Sequence, residues 1–140
     1  MPKPRHSPRP RPKTQAEFFA REKEVWGELA ATWRGLPEEA LTRPGACGPE
    51  WREGRKATLG HGTDKFNAVQ HEQDKSRSLA ASKRRLDRAR REALALIAAL
   101  PEADVLNLEG RRGWWIKYNT YGHYSQHIYE LAGFRKQWKR

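Results

Sequence analysis

Leu79, Leu86, Ala89, Ala93, Leu94, Ile97 and Leu100 recur at helical spacing, and Pro101 closes the run. That spacing puts them on one face of a helix, and the Ala, Leu and Arg around them are strong helix formers. Proline lacks the N–H that the next turn would need, so the helix ends there. A second stripe runs through Phe18, Val25, Trp26, Leu29, Trp33 and Leu36. Thr14-Gln15-Ala16-Glu17 before it reads as a capping box, and Gly35 and Pro37 mark its stop. A third helix is predicted from about Trp114 toward Gly133. Thr63 or Asp64 could open a further helical region with Phe66, Ala68 and Val69, but the charged run from His71 to Ser78 interrupts it. No stretch alternates at the period of two that a strand requires. The pattern therefore predicts an all-α bundle of three long helices.

A chain of 140 residues suffices for one domain with one core. No apolar run approaches the length of a bilayer span, and no secretory leader is evident. Cys47 is the single cysteine and sits in a Pro/Gly-rich loop with no basic cluster beside it. An internal disulfide is excluded, and a cytoplasmic location is the expectation.

The net charge of +11 is concentrated at the ends. Lys3, Arg5, Arg9, Arg11 and Lys13 lie in residues 1–13, and Arg135, Lys136, Lys139 and Arg140 in 135–140, with no acid in either segment. The body between them holds 19 of the 28 bases against all 17 acids. Residues 1–13 alternate proline with base, which predicts a disordered, polyproline-like arm. The expected organisation is arm 1–13, one helical bundle domain 14–134, and a basic tail 135–140. Basic ends and the cluster around Arg84, Arg85 and Arg88 could attract a polyanion such as nucleic acid. Solvated charge that keeps the protein soluble explains the basic ends equally well, and a solvated outer face is the favoured reading of the Arg84 cluster. No recognised nucleic-acid-binding motif is present.

The richest chemistry lies in Trp114-Trp115-Ile116-Lys117-Tyr118-Asn119-Thr120-Tyr121-Gly122-His123-Tyr124-Ser125-Gln126-His127. His123 and His127 are four apart and share a helix face. Two imidazoles so placed can hold one metal ion, or one can act as a general base near neutral pH. Glu130, one turn on, could orient His127. Buried histidines bonded to tyrosines or backbone are the plainer alternative.

From Gly62-Thr63-Asp64-Lys65-Phe66-Asn67 through the Asn119-Thr120-Tyr121-Gly122-His123-Tyr124-Ser125-Gln126-His127 run, the chain resembles the DinB-like four-helix bundles, closest to their ClbS/DfsB branch. The Trp-x-x-Leu pattern of the first helix, Leu36-Pro37-Glu38-Glu39-Ala40-Leu41 and Trp51 fit as well. The resemblance covers roughly residues 16–132. It implies a small-molecule detoxification or stress-protection protein that acts on an electrophile, in some members as a metal-dependent hydrolase. A divalent ion (Zn, Ni or Fe) would then be held by His123 and His127. Metal-free relatives activate water instead, which implies a catalytic set of His123, His127, Tyr118, Tyr121 and Tyr124.

One departure bears on the metal. In relatives a helix of the form Lys-Asp-x-x-x-His-x-x-x-Trp follows the tryptophan and supplies a third histidine. Here Trp51-Arg52-Glu53-Gly54 leads almost directly to Gly62. His71, ahead of His61, is the mid-chain candidate for the third ligand. Loss of that helix would leave a core flank open, to be covered by a homodimer or a larger assembly. The runner-up to the enzyme is therefore a non-enzymatic basic subunit of a nucleoprotein assembly built on the same scaffold.

Overall fold

The computed structural model describes residues 9–42, 69 and 72–138. The described residues are helical with turns and short connections, and contain no strand. The elements are α1 (Gln15–Trp33), α2 (Glu38–Thr42), α3 (Leu79–Ala98), α4 (Glu102–Leu106), α5 (Arg111–Tyr118) and α6 (Tyr121–Trp138). The all-α expectation holds, and among the described residues α1, α3 and α6 are the long helices. Contacts separate two compact units. One is built from residues up to Gly35 and from Leu94 onward, the other from Leu36 to Ala93.

In the first unit, α1 starts where the capping box places it. Thr14 Oγ1 accepts from the Glu17 N–H at 3.1 Å. The return bond from the Glu17 carboxylate goes one residue further back, to the Lys13 N–H at 2.6 Å. Glu102 adds a carboxylate on the Gln15 N–H at 2.8 Å, favourable at the positive end of a helix. The stop also comes where expected. Gly35 adopts φ +75°, a conformation glycine reaches without a side-chain clash. Phe18, Val25 and Leu29 are buried, as the stripe predicts, and Glu22 is buried among them.

Helices α1 and α6 run in the same direction. Phe18 near the start of α1 meets Tyr121 at the start of α6, with ring centroids 5.7 Å apart. At the other end Arg135 donates to the carbonyls of Ala31, Thr32 and Arg34 at 3.2, 3.2 and 2.6 Å. Those carbonyls lack partners inside α1, so the guanidinium caps its negative end. Arg135 and Lys136, expected in a tail, lie in the last turn of α6. Phe18, Val25, Ile97, Val105 and Tyr121 form the core, with Ile116, Tyr124 and Ile128 packed against it. Each such side chain contributes on the order of 2 kcal/mol by leaving water.

The single helix expected from Trp114 is two helices. Asn119 Nδ2 donates to the Trp115 carbonyl at 2.8 Å, and Thr120 Oγ1 to that of Ile116 at 2.7 Å. Side-chain bonds of this kind compete with the helical ladder. Asn119 closes α5, and the Tyr124 N–H starts α6 on the Thr120 carbonyl at 2.9 Å.

Residues 9–13 of the arm take no regular secondary structure and are bonded to the rest of the chain. Arg9 pairs with Glu28 and, at 3.4 Å, with Glu24. Arg11 donates to the Leu106 carbonyl at 2.8 Å, and Pro12 is buried.

Candidate functional site

The break at Asn119–Thr120 sets the direction of α6 and brings His123 and His127 beside α5. Their Nε2 atoms lie 2.7 Å apart, and His127 Nδ1 lies 3.1 Å from Glu130 Oε2. The carboxylate takes the His127 Nδ1 proton, which leaves the lone pair of His127 on Nε2. That lone pair accepts from the Nε2–H of His123. The remaining lone pair, on His123 Nδ1, is buried and has no hydrogen-bond partner among the described residues. The tautomers follow from this hydrogen-bond network. Glu130 thus lies within hydrogen-bond distance of His127, as its spacing suggested.

Tyr118 on α5 stands edge-on to His123, with ring centroids 5.9 Å apart. Trp114 stacks on Tyr118 at 5.1 Å and 9° between planes, and Trp115 closes edge-on. Trp114, Trp115 and Tyr118 are each close to half exposed. The remaining tyrosines of the expected catalytic set lie elsewhere. Tyr124 packs against Trp26 at 5.2 Å. Tyr121 is on the far side of α6, since two residues along a helix turn it by about 200°. It faces Phe18 and a separate cleft.

Burial pushes the His123 imidazole below its ordinary value of 6.5. The neighbouring His127 adds to the shift, and Glu130 opposes it. His123 is therefore neutral at pH 7 and able to accept a proton. The sign for stability follows. The unfolded chain binds this proton at a pH where the folded chain does not, so stability is complete above pH 6.5 and falls as pH drops through that value. Thermal midpoints measured between neutral pH and about pH 5 should fall. The fall should be shallower in His123→Asn, and equal slopes would contradict the assignment.

The described residues supply two imidazoles for a metal. Two nitrogens bound tetrahedrally at about 2.0–2.1 Å stand roughly 3.3 Å apart, so the 2.7 Å contact suits a shared proton better than an ion. No group of three or more His, Cys, Asp or Glu able to hold a metal occurs among the described residues. His71 and His61 lie outside them, as do Lys3 and Arg5.

Of the other expected nucleic-acid contacts, Arg9 and Arg11 are bonded within the chain, as above. Lys13, Arg84 and Arg88 are exposed, and Arg85 is partly buried and paired with Asp74. The arm bonds of Arg9 and Arg11 were missed by sequence reasoning. The charge repeat gave no sign of them, though α1 carries Glu24 and Glu28 one turn apart.

No family model, curated protein or solved structure matches the chain. No helix among the described residues is long and apolar enough to cross a membrane.

Proposed function

We propose that this protein is a DinB-like, ClbS/DfsB-type detoxification enzyme that adds water to a small strained electrophile, with the Glu130–His127–His123 relay at its centre. The observation that carries this reading is the buried, unpartnered His123 Nδ1 at the end of an ordered proton chain. A buried acceptor with no partner costs free energy that a merely structural histidine has no reason to incur. His123 is the base. When substrate binding opens the buried Nδ1 to water, it takes one proton of a water molecule whose oxygen attacks the strained carbon. The carbon–heteroatom bond breaks, and the leaving heteroatom takes a proton back. His127 and Glu130 position His123 and spread the positive charge. Tyr118, with Trp114 stacked on it, offers a partly exposed aromatic wall to the substrate.

The test is a panel of terminal epoxides incubated with the full chain, with diol formation as the readout. Saturable turnover that disappears in His123→Ala/His127→Ala supports the reading, and its absence across the panel overturns it. Metal content by mass spectrometry on the same two proteins separates the two forms of the chemistry. Near-stoichiometric Zn, Ni or Fe lost in the double variant would make the two Nε2 atoms ligands. The 2.7 Å contact leads us to expect no such metal.

A non-enzymatic basic subunit is the second reading. Arg84 and Arg88 are exposed one turn apart on α3. Tight, salt-sensitive binding to single- or double-stranded DNA without turnover would favour it.

A further inference from the structure

A cleft of about 370 Å³ lies in the first unit, on the face of α6 turned away from the histidine pair. Its origin is in the arm. Prolines fix the backbone of residues 9–12, and Arg9, Pro10, Arg11 and Pro12 all line the cleft, so Arg9 and Arg11 share one wall. Arg21 of α1 and Lys117 of α5 bring two more cations to the lining. The anions close at hand are Glu28, in the lining, and Glu24, and Arg9 pairs with both. Positive charge is thus in excess.

The donors are only partly used. Arg21 gives one bond to the Pro10 carbonyl at 3.2 Å and approaches Glu24 at 3.4 Å. Arg9 Nη1 is buried and makes no hydrogen bond, although Glu24 Oε2 is within ion-pair distance. A guanidinium has five N–H donors in a fork that matches an oxyanion. Tyr121 adds a hydroxyl that has no hydrogen-bond partner among the described residues. Burial raises its pKa while Arg21 and Arg11 pull it back, so the phenol lies within the field of both guanidiniums and stays a donor at pH 7. Val25 and Ile128 give the lining an apolar part.

We propose that this cleft binds a small organic anion. Its apolar body would lie over Val25 and Ile128, and its carboxylate or phosphate head would meet Arg21, Lys117 and the Tyr121 hydroxyl. The combination is typical of small-molecule sites, an apolar lining with a few convergent polar groups. The site is independent of the histidine chemistry, and it gives the Pro/Arg repeat a structural task as one wall of a receptor.

The experiment titrates the full chain with octanoate, octyl phosphate and 1-octanol, following the amide NMR signals of Tyr121, Gly122 and Ser125. Both anions should bind at least about tenfold more tightly than the alcohol, the value of one charge-assisted hydrogen bond. The tighter of the two identifies the head group, and added salt should weaken both. Lys117→Gln removes an exposed charge, and Tyr121→Phe keeps the ring on Phe18 while losing the hydroxyl. Each should weaken the anions by roughly five- to tenfold and leave octanol unchanged. Equal binding of alcohol and anions would overturn the proposal. So would anion binding that neither variant alters, or no shift of these amides up to about 10 mM, beyond which affinity is negligible.

Discussion

Replacing Gly113 with alanine is expected to lower stability by about 3 kcal/mol, an overpacking cost at the upper end of the usual range. A Cβ at this position would stand 2.2 Å from the Asn107 carbonyl oxygen, 2.7 Å from its carbon and 3.0 Å from the Asp104 carbonyl oxygen. All three are backbone atoms, so no side chain can swing aside. Asn107 is itself held in place. Its side-chain oxygen accepts from the N–H groups of Glu109 and Gly110 at 3.2 and 3.1 Å, and its own N–H donates to Ala103 at 3.1 Å. The substitution must therefore push α5 away from α4 and move Tyr118 relative to His123. Helix propensity alone predicts the opposite sign, since alanine gains about 1 kcal/mol over glycine in a helix interior. Gly133 provides the control. It lies within α6 with nothing within 4 Å of its would-be Cβ, so Gly133→Ala should raise stability by up to about 1 kcal/mol. Urea unfolding of the two variants decides the matter. If both shift upward, the close approach at Gly113 is absent.

The signals that proved legible were local and periodic. The Thr14 cap, the Gly35 stop and the buried set of Phe18, Val25 and Leu29 follow from spacing and from the backbone needs of single residues. The His123–His127–Glu130 line follows from helical geometry, because all three lie within two turns of one helix. The break at Asn119–Thr120 was less visible. Asparagine and threonine are tolerated inside helices, and only the side-chain bonds to Trp115 and Ile116 end this one. Glu22 occupies a stripe position between Phe18 and Val25, but polarity hid it from a reading based on apolar residues. The arm was read by composition, which describes what a segment does when nothing binds it. Glu24, Glu28 and the Leu106 carbonyl are its partners, the last 95 residues away from Arg11. Contacts at such separation leave no periodic trace. Tyr121 shows the same limit from the other side. It falls within the aromatic run that holds the histidines, yet helical rotation carries it to a different surface.

Loss of His127 should have a large effect on turnover, second only to loss of the base His123. His127→Gln is expected to reduce the epoxide-opening rate by about 10- to 100-fold, the usual result of removing an orienting partner, while the circular dichroism spectrum stays helical. The side chain is about one-third exposed, so little packing is lost. Glutamine can still hydrogen-bond, but it cannot carry the relay charge from His123 to Glu130. Glu130→Gln is the more diagnostic companion. Its carboxylate raises the His123 pKa against the effects of burial and of His127. Neutralising it should move the acid limb of the rate profile to lower pH, because His123 then stays unprotonated further into acid. The rate on the plateau should fall by about tenfold or more, as is usual when an orienting partner is removed. The shifted limb reports the charge of Glu130 beside the pair, and the lower plateau reports its orienting role. Turnover with an unshifted acid limb in Glu130→Gln, together with near-normal rates in His127→Gln, would remove the relay from the mechanism and leave His123 to act alone.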